Sequence, residues 1–207
     1  YLPLGAMADG APVGTDWRGL KCGVLEATLC CIYAQKSFLD FMEEMLGRLH
    51  IGVTEFIAAP LATGLLVAGP GDGRTVLIAD SGYYTTDLTL MRGGSLIAHD
   101  NIALGGGHVT SDLAVALDID MERAERLKRH TTVGMISGGR RTLAPVTGED
   151  PERGIDAETA QAIMENRIEE LAQHIESFLA REAGGSRADL YLTGGGFALI
   201  RGAREVI

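Results

Sequence analysis

Apolar positions along this chain recur with two periods, and each period marks one kind of element. Val76-Leu77-Ile78-Ala79 is an unbroken apolar run, as in a buried strand. Asp80-Ser81-Gly82 breaks it, with Gly82 supplying freedom at a turn. From Thr86 to Leu90 the pattern alternates, with Thr86, Leu88 and Leu90 on one face and Asp87 and Thr89 on the other. The stretch therefore predicts strand, tight turn, strand. Leu20 to Tyr33, Val53 to Ala58, Leu96 to Ala103 and Leu190 to Leu192 also predict strands. Met91 to Ser95 is a turn, whereas residues 1–20 are rich in Gly, Pro and Ala and show little period.

Six helices are predicted. Phe38, Met42, Met45 and Leu49 form one stripe, with Ser37 as the N-cap, Asp40 in the first turn and Gly47 weakening the last. Pro60 starts a helix through Leu61, Leu65 and Leu66 that ends at Gly69-Pro70, before the loop Gly71-Asp72-Gly73. Val109, Leu113 and Leu117 share a face between His108 and Leu117, and Asp120 caps Met121 to His130. Short strand-like pieces between Val133 and Thr147 and a charged loop at Gly148 to Gly154 follow. Asp156 then caps the longest helix, with the stripe Met164, Ile168, Leu171, Ile175 and Phe178, which ends near Gly184-Gly185. A final helix is expected through Phe197, Leu199 and Ile200.

Composition narrows the classes. Apolar residues make up 46% and charged residues 22% of the 207, which is the balance of a globular chain. A net charge of -10 argues against nucleic acid as a partner but leaves room for a small phosphate ligand. Cys22, Cys30 and Cys31 lack metal-ligand spacing and read as reduced core thiols of a cytosolic protein. No apolar run approaches the ~20 residues that cross a bilayer, and no signal peptide is visible. The Tyr1 start and the helix-like end at Val206-Ile207 suggest a fragment of a longer protein.

Several stretches are candidates for chemistry. The hairpin holds a carboxylate and a threonine pair at its mouth, which suits a hydrated metal and phosphate oxygens but also suits an ordinary polar turn. Gly105-Gly106-Gly107 feeds a helix and could place phosphate at its N-terminus, or serve as a flexible turn. Glu125 and Lys128, three apart, are either a surface ion pair or a pair reaching a ribose or base. Thr193-Gly194-Gly195-Gly196 is a second glycine-rich turn after a strand, or a tight connection only. The histidines His50, His99, His108, His130 and His174 lack partners at ligand spacing. Without a GxSxG elbow or a Gly-Lys-Ser/Thr ending, serine hydrolase, zinc hydrolase and P-loop readings fall away.

In order, these pieces resemble the second large domain of the actin, heat-shock-chaperone and sugar-kinase superfamily. The resemblance rests on Asp80 to Asp87, Leu104-Gly105-Gly106-Gly107-His108-Val109-Thr110-Ser111-Asp112-Leu113-Ala114, Ala124-Glu125-Arg126-Leu127-Lys128, Arg167-Ile168-Glu169-Glu170 and Leu192 to Gly196. Within the superfamily the segments are similar to the bacterial FtsA family, over roughly residues 20–207. The resemblance implies an α/β, actin-like ATPase (ribonuclease H-like) fold with a mixed sheet flanked by helices. It places residues 1–70 in the tail of an extra subdomain and the end of the first actin-like domain. Residues 71–207 become the second, with a small subdomain inserted at about 112–155.

The resemblance further implies ATP and Mg as cofactors. Asp80 would orient the metal's water shell, and Ser81, Gly82, Thr85 and Thr86 would serve the β and γ phosphates. Gly105 and Gly106 belong to the same cradle. Glu125 and Lys128 face the ribose and adenine, and Gly194, Gly195 and Gly196 let backbone approach the adenosine. The implied partners are an FtsZ-like division-ring protein, further copies in a filament, and the inner membrane through a segment absent from the chain. The implied place is cytoplasmic, on the inner face of that membrane. ATPase activity is expected to be weak or absent, and nil in a fragment. A pilus-assembly actin homologue and a small-molecule kinase are the alternatives. Tyr83-Tyr84 depart from the small residues usual in such hairpins. Left-handed backbone there would cost roughly 1–2 kcal/mol, and the rings would either crowd the γ-phosphate or pack on a neighbouring strand.

Overall fold

The computed structural model describes residues 2–14, 16–69, 73–134 and 157–207, without the side chain of Ala157. The expectations for Pro70 to Asp72, for Asp156 and for nearly all of Val133 to Gly154 lie outside these residues. The chain divides into two compact units, Tyr1–Val76 with Thr89–His99 and Leu77–Leu88 with Asp100–Ile207.

The first unit begins with a hairpin that the composition of residues 1–20 concealed. β1 (Leu2–Ala8) pairs antiparallel with β2 (Ala11–Gly14) and with β3 (Leu25–Cys30), in the order β2-β1-β3. The turn is Asp9-Gly10, both at positive φ (48° and 82°), which is the geometry such a dipeptide favours. The Asp9 carboxylate also accepts from the Gly23 and Val24 N–H groups at 3.0 and 2.8 Å, which fastens β3 beside the turn. Helix α1 (Lys36–Arg48) has Gln35, not Ser37, as its N-cap, and no side chain caps it. Its apolar stripe is unburied: Phe38 is 56% and Leu49 68% exposed. Residues 53–58 form no strand, and the Ala58 carbonyl instead accepts from the Ala62 N–H at 3.0 Å, as the cap of the next helix. Helix α2 (Ala59–Val67) starts at Pro60 as expected, and the absent side chain of Gly64 leaves room for Met91.

A second sheet has the order β6-β5-β4-β7. β4 (Thr75–Ser81), β5 (Thr86–Arg92) and β6 (Ser95–Ile102) follow one another through short turns. β4 extends through Asp80 and Ser81, so the break predicted there falls later, at 82–85. Both faces of β5 are largely buried, and Thr89, expected on the polar face, is buried with its hydroxyl 3.3 Å from His99 Nδ1. That polar contact makes the burial tolerable.

In the second unit, α3 (Gly106–Leu117) packs on α4 (Met121–His130) and α5 (Ala157–Glu182). Asp120 caps α4 as expected, accepting from the Arg123 N–H at 2.7 Å. The predicted stripe of α5 is the core here: Met164, Ile168, Leu171, Ile175 and Phe178 are all buried. Arg167 ties α5 to α3 by a two-pronged pair with Asp112 and bonds Glu170 at 2.6 Å. These carboxylates raise the guanidinium's affinity for its proton. β7 (Asp189–Thr193) completes the sheet edge. After it the chain makes turns, not the expected helix, until α6 (Ala203–Val206). The Phe197 N–H and ring face inward: the N–H lies 3.3 Å from Ser81 Oγ, and the ring is fully buried. The three cysteines are not core thiols, since Cys22 and Cys31 are exposed and Cys30 is half-buried. Among the described residues no helix is long and apolar enough to cross a membrane.

Candidate nucleotide site

Three short glycine-bearing turns meet in the second unit. The first is the hairpin tip, Gly82 to Thr85, closed by a hydrogen bond from the Gly82 N–H to the Thr85 carbonyl at 2.8 Å. The second is the start of α3, and the third is Gly194-Gly195-Gly196. Backbone groups join them directly. Gly106 N–H donates to Gly82 O at 3.0 Å, Gly107 N–H to Tyr83 O at 2.7 Å, and Gly196 N–H to Ser81 O at 2.7 Å.

Glycine is needed here for close approach. A methyl group on Gly105 would lie 2.7 Å from the Gly82 carbonyl, and one on Gly106 would lie 2.9 Å from Gly196 Cα. Gly194 combines a φ of 86° with a place where an added Cβ would collide with Ser81 O and lie 2.6 Å from Asp80 Oδ1. The Asp80 carboxylate therefore lies beside the third turn, although it is far away in sequence.

These joints revise the reading of Gly105-Gly106-Gly107. The first N–H groups of α3 are already used: two by hairpin carbonyls, while Gly105 N–H donates to His108 Nδ1 at 3.1 Å. This helix start holds the hairpin rather than offering free donors to an anion. Ser81 and Thr86 are likewise engaged inside the protein, Thr86 Oγ1 donating to Leu104 O at 2.7 Å. Gly82 and Thr85 remain exposed at the tip.

Tyr83 and Tyr84 keep φ outside the left-handed region, so they impose no such strain. Their rings meet edge to face, with centroids 4.8 Å apart. The Tyr83 ring lies over Gly107, where a side chain would collide with it. It packs on a helix start, not on a neighbouring strand.

Beside the turns, Glu125, Lys128, Arg129, Gly195, Gly196, Leu199 and Ile200 line a cavity of about 230 Å³. The expected Glu125–Lys128 pair and the third glycine turn thus come together. The pair is no surface ion bridge: Lys128 is 5% exposed and bonds Glu125 Oε2 at 2.6 Å. Arg129 was missed in the sequence, although its four-residue spacing from Glu125 places both on one face. It bonds Glu125 Oε1 at 2.9 Å and is otherwise exposed.

Burial alone would raise the Glu125 carboxyl, but hydrogen bonds from Lys128, Thr110 and Arg129 outweigh it and hold the pKa at about 2. Because the folded value is depressed, this stabilisation is complete above about pH 4.5 and fades as pH falls towards 2. Urea unfolding midpoints should therefore drop across that window. Glu125→Gln should flatten this part of the acid limb, and an identical limb in the variant would contradict the assignment.

Among the described residues no three His, Cys, Asp or Glu side chains converge on a metal position.

Comparison with known proteins agrees with this frame. The profile of the family described as "Cell division protein FtsA" matches residues 77–207. FtsA of Rhizobium meliloti is 31% identical over 187 residues, which cover 87% of this chain and 42% of that protein. FtsA of Agrobacterium fabrum is 30% identical over 214 residues, covering 100% and 45%. The chain thus spans less than half the length of these relatives. Among solved structures, MreB5 of Spiroplasma citri bound to ADP superposes with a TM-score of 0.57 at 18% identity, covering 95% of this chain and 78% of that one. At that identity the likeness speaks to the fold alone, which is α/β and actin-like, with a mixed sheet flanked by helices.

Proposed function

The chain belongs to the FtsA family of cell-division proteins, and on that premise we propose that the full-length protein binds Mg-ATP where the three glycine turns meet. The observation that carries this reading is the meeting itself. Asp80, Gly194 to Gly196 and the Glu125 face of α4 are far apart in sequence. Glu125, Arg129, Gly195 and Gly196 line one cavity of about 230 Å³, and Asp80 lies against Gly194 at the start of the same turn. Glu125 and Arg129 serve the ribose and base side, with Lys128 behind them. Gly195 and Gly196 let the backbone approach the nucleoside. Gly82 and Thr85 face the phosphates, and Ser81, Thr86, Gly105 and Gly106 shape the loop that presents them. Asp80 acts on the metal through water. Bound magnesium would supply charge neutralisation at the phosphates.

In this reading residues 71–207 are the second actin-like domain of a nucleotide-dependent adaptor. The adaptor assembles into filaments of its own copies and tethers an FtsZ-type division ring to the inner membrane. The family match and the actin-like fold support that role.

Titration of the full-length protein with Mg-ATP tests the site. Asp80→Ala is expected to weaken Mg-ATP at least tenfold and to leave binding of metal-free ATP within about twofold. Equal affinity of wild type and variant for Mg-ATP would remove Asp80 from the site.

A further inference from the structure

Tyr83 does more in this assembly than its backbone requires. Its carbonyl accepts from Gly107 N–H at 2.7 Å, and its φ lies outside the left-handed region. A residue without a ring would serve that bond as well. The ring itself lies over Gly107, where a methyl group would be 2.5 Å from its Cε1. Its centroid is 5.9 Å from the Lys128 ammonium, within cation–π range. The Tyr84 ring meets it edge to face at 4.8 Å, a favoured arrangement of two aromatic rings.

These contacts hold the ring between two parts of the site. Tyr83 belongs to the hairpin tip, between Gly82 and Thr85. Lys128 lines the cavity together with Glu125, Gly195 and Gly196. The ring therefore reaches from the tip to the cavity wall. Gly107 beneath it has no side chain to push it away. Tyr83 is 46% exposed, so the ring can turn out to solvent without disturbing the core.

We propose that Tyr83 determines how long a nucleotide the site accepts, its ring standing across the path from the cavity to the hairpin tip. This rests on the nucleotide reading of the site and narrows it. With the ring on Gly107, the cavity takes a nucleoside or a nucleoside monophosphate. The β and γ phosphates of a triphosphate have to reach Gly82 and Thr85, and they do so only when the ring swings off. The face of a phenol ring is negative, so it offers phosphate oxygens no attraction in its place. Apparent affinity for the long ligand is then reduced by the fraction of molecules with the ring displaced, and the short ligand is unaffected.

The test uses the full-length protein as wild type, Tyr83→Ala, Tyr83→Phe and Gly107→Ala, with Mg-ATP and AMP titrated into each. Tyr83→Ala removes the ring. It should tighten Mg-ATP about tenfold and leave AMP within about twofold, the pattern of a ring displaced in about one molecule in ten. Gly107→Ala keeps the ring and drives it off its seat, and should tighten Mg-ATP by about threefold. It decides the matter by the same pattern if Tyr83→Ala does not fold. Tyr83→Phe retains the obstruction and should bind both ligands as wild type does. A gain in affinity for one ligand separates this role from a structural one, since damage to the fold weakens both. Mg-ATP bound by Tyr83→Ala no more tightly than by wild type would overturn the proposal. So would equal gains for Mg-ATP and AMP, or a gain in Tyr83→Phe. Failure of wild type and both alanine variants to bind either nucleotide would overturn the nucleotide reading and this proposal with it. Binding of both nucleotides by wild type, unchanged in the variants, would overturn this proposal alone.

Discussion

Replacing Gly194 by Ala is expected to abolish Mg-ATP binding and to destabilise the protein by about 3 kcal/mol, from roughly 1–2 for left-handed backbone and a similar share for overpacking. Gly194 sits at a φ of 86°, which L side chains adopt only under strain. The added methyl would also be driven against Ser81 O, and it would lie 2.6 Å from Asp80 Oδ1. Neither neighbour can yield freely. Ser81 O is the acceptor for Gly196 N–H at 2.7 Å, so moving it separates the third turn from β4. Moving the Asp80 carboxylate displaces the group assigned to the metal's water shell. The next residue provides the contrast. A methyl on Gly195 meets nothing within 4 Å, so Gly195→Ala should unfold close to wild type. Urea denaturation of both variants reads the difference, and Gly194→Ala unfolding like Gly195→Ala would show that the close approach does not exist.

Phe178→Ala is expected to cost about 3–5 kcal/mol, the range for emptying a buried aromatic position. Phe178 is 2% exposed and closes the α5 stripe that begins at Met164. The Arg181 guanidinium lies 5.5 Å from its ring centroid, so that contact is lost as well. The cavity left behind lies in the core under α5, and Phe178 does not line the cavity beside Glu125. Stability should therefore fall much more than Mg-ATP affinity, when affinity is measured at low temperature on the folded fraction. A loss under about 1 kcal/mol would show that this stripe is not the core of the unit.

The contrast between α5 and α1 shows what could be read from the chain. Both helices carry an apolar stripe at helical spacing, and both form. Periodicity identifies a helix and its apolar face, but what covers that face is a tertiary fact. The α5 stripe is buried, while Phe38 and Leu49 on α1 are exposed. Asp120 was legible as a cap because an N-cap is a local device, decided within four residues. Ser37 failed because Gln35 starts its helix two residues earlier without any side-chain bond. The Asp9-Gly10 hairpin was legible in principle, since an Asp-Gly pair between two short apolar stretches is a strong turn signal. The Gly, Pro and Ala around it obscured the strands.

The site was legible as three motifs in order, and not as an assembly. No spacing rule says that Gly196 will reach Ser81, or that Gly106 and Gly107 will donate to the hairpin tip. Those contacts span long separations and depend on how α3 and β7 pack. The same holds for Lys128. At three residues from Glu125 it reads as a surface pair, and only the packing of α3 on α4 buries it.

The most direct measurement is a crystal structure of the full-length protein with magnesium and a non-hydrolysable ATP analogue. The base and ribose are expected beside Glu125, Arg129, Gly195 and Gly196, the phosphates at Gly82 and Thr85, and a metal-bound water on Asp80. Analogue seated elsewhere, or the cavity empty at saturating analogue, would contradict the assignment of this site to nucleotide.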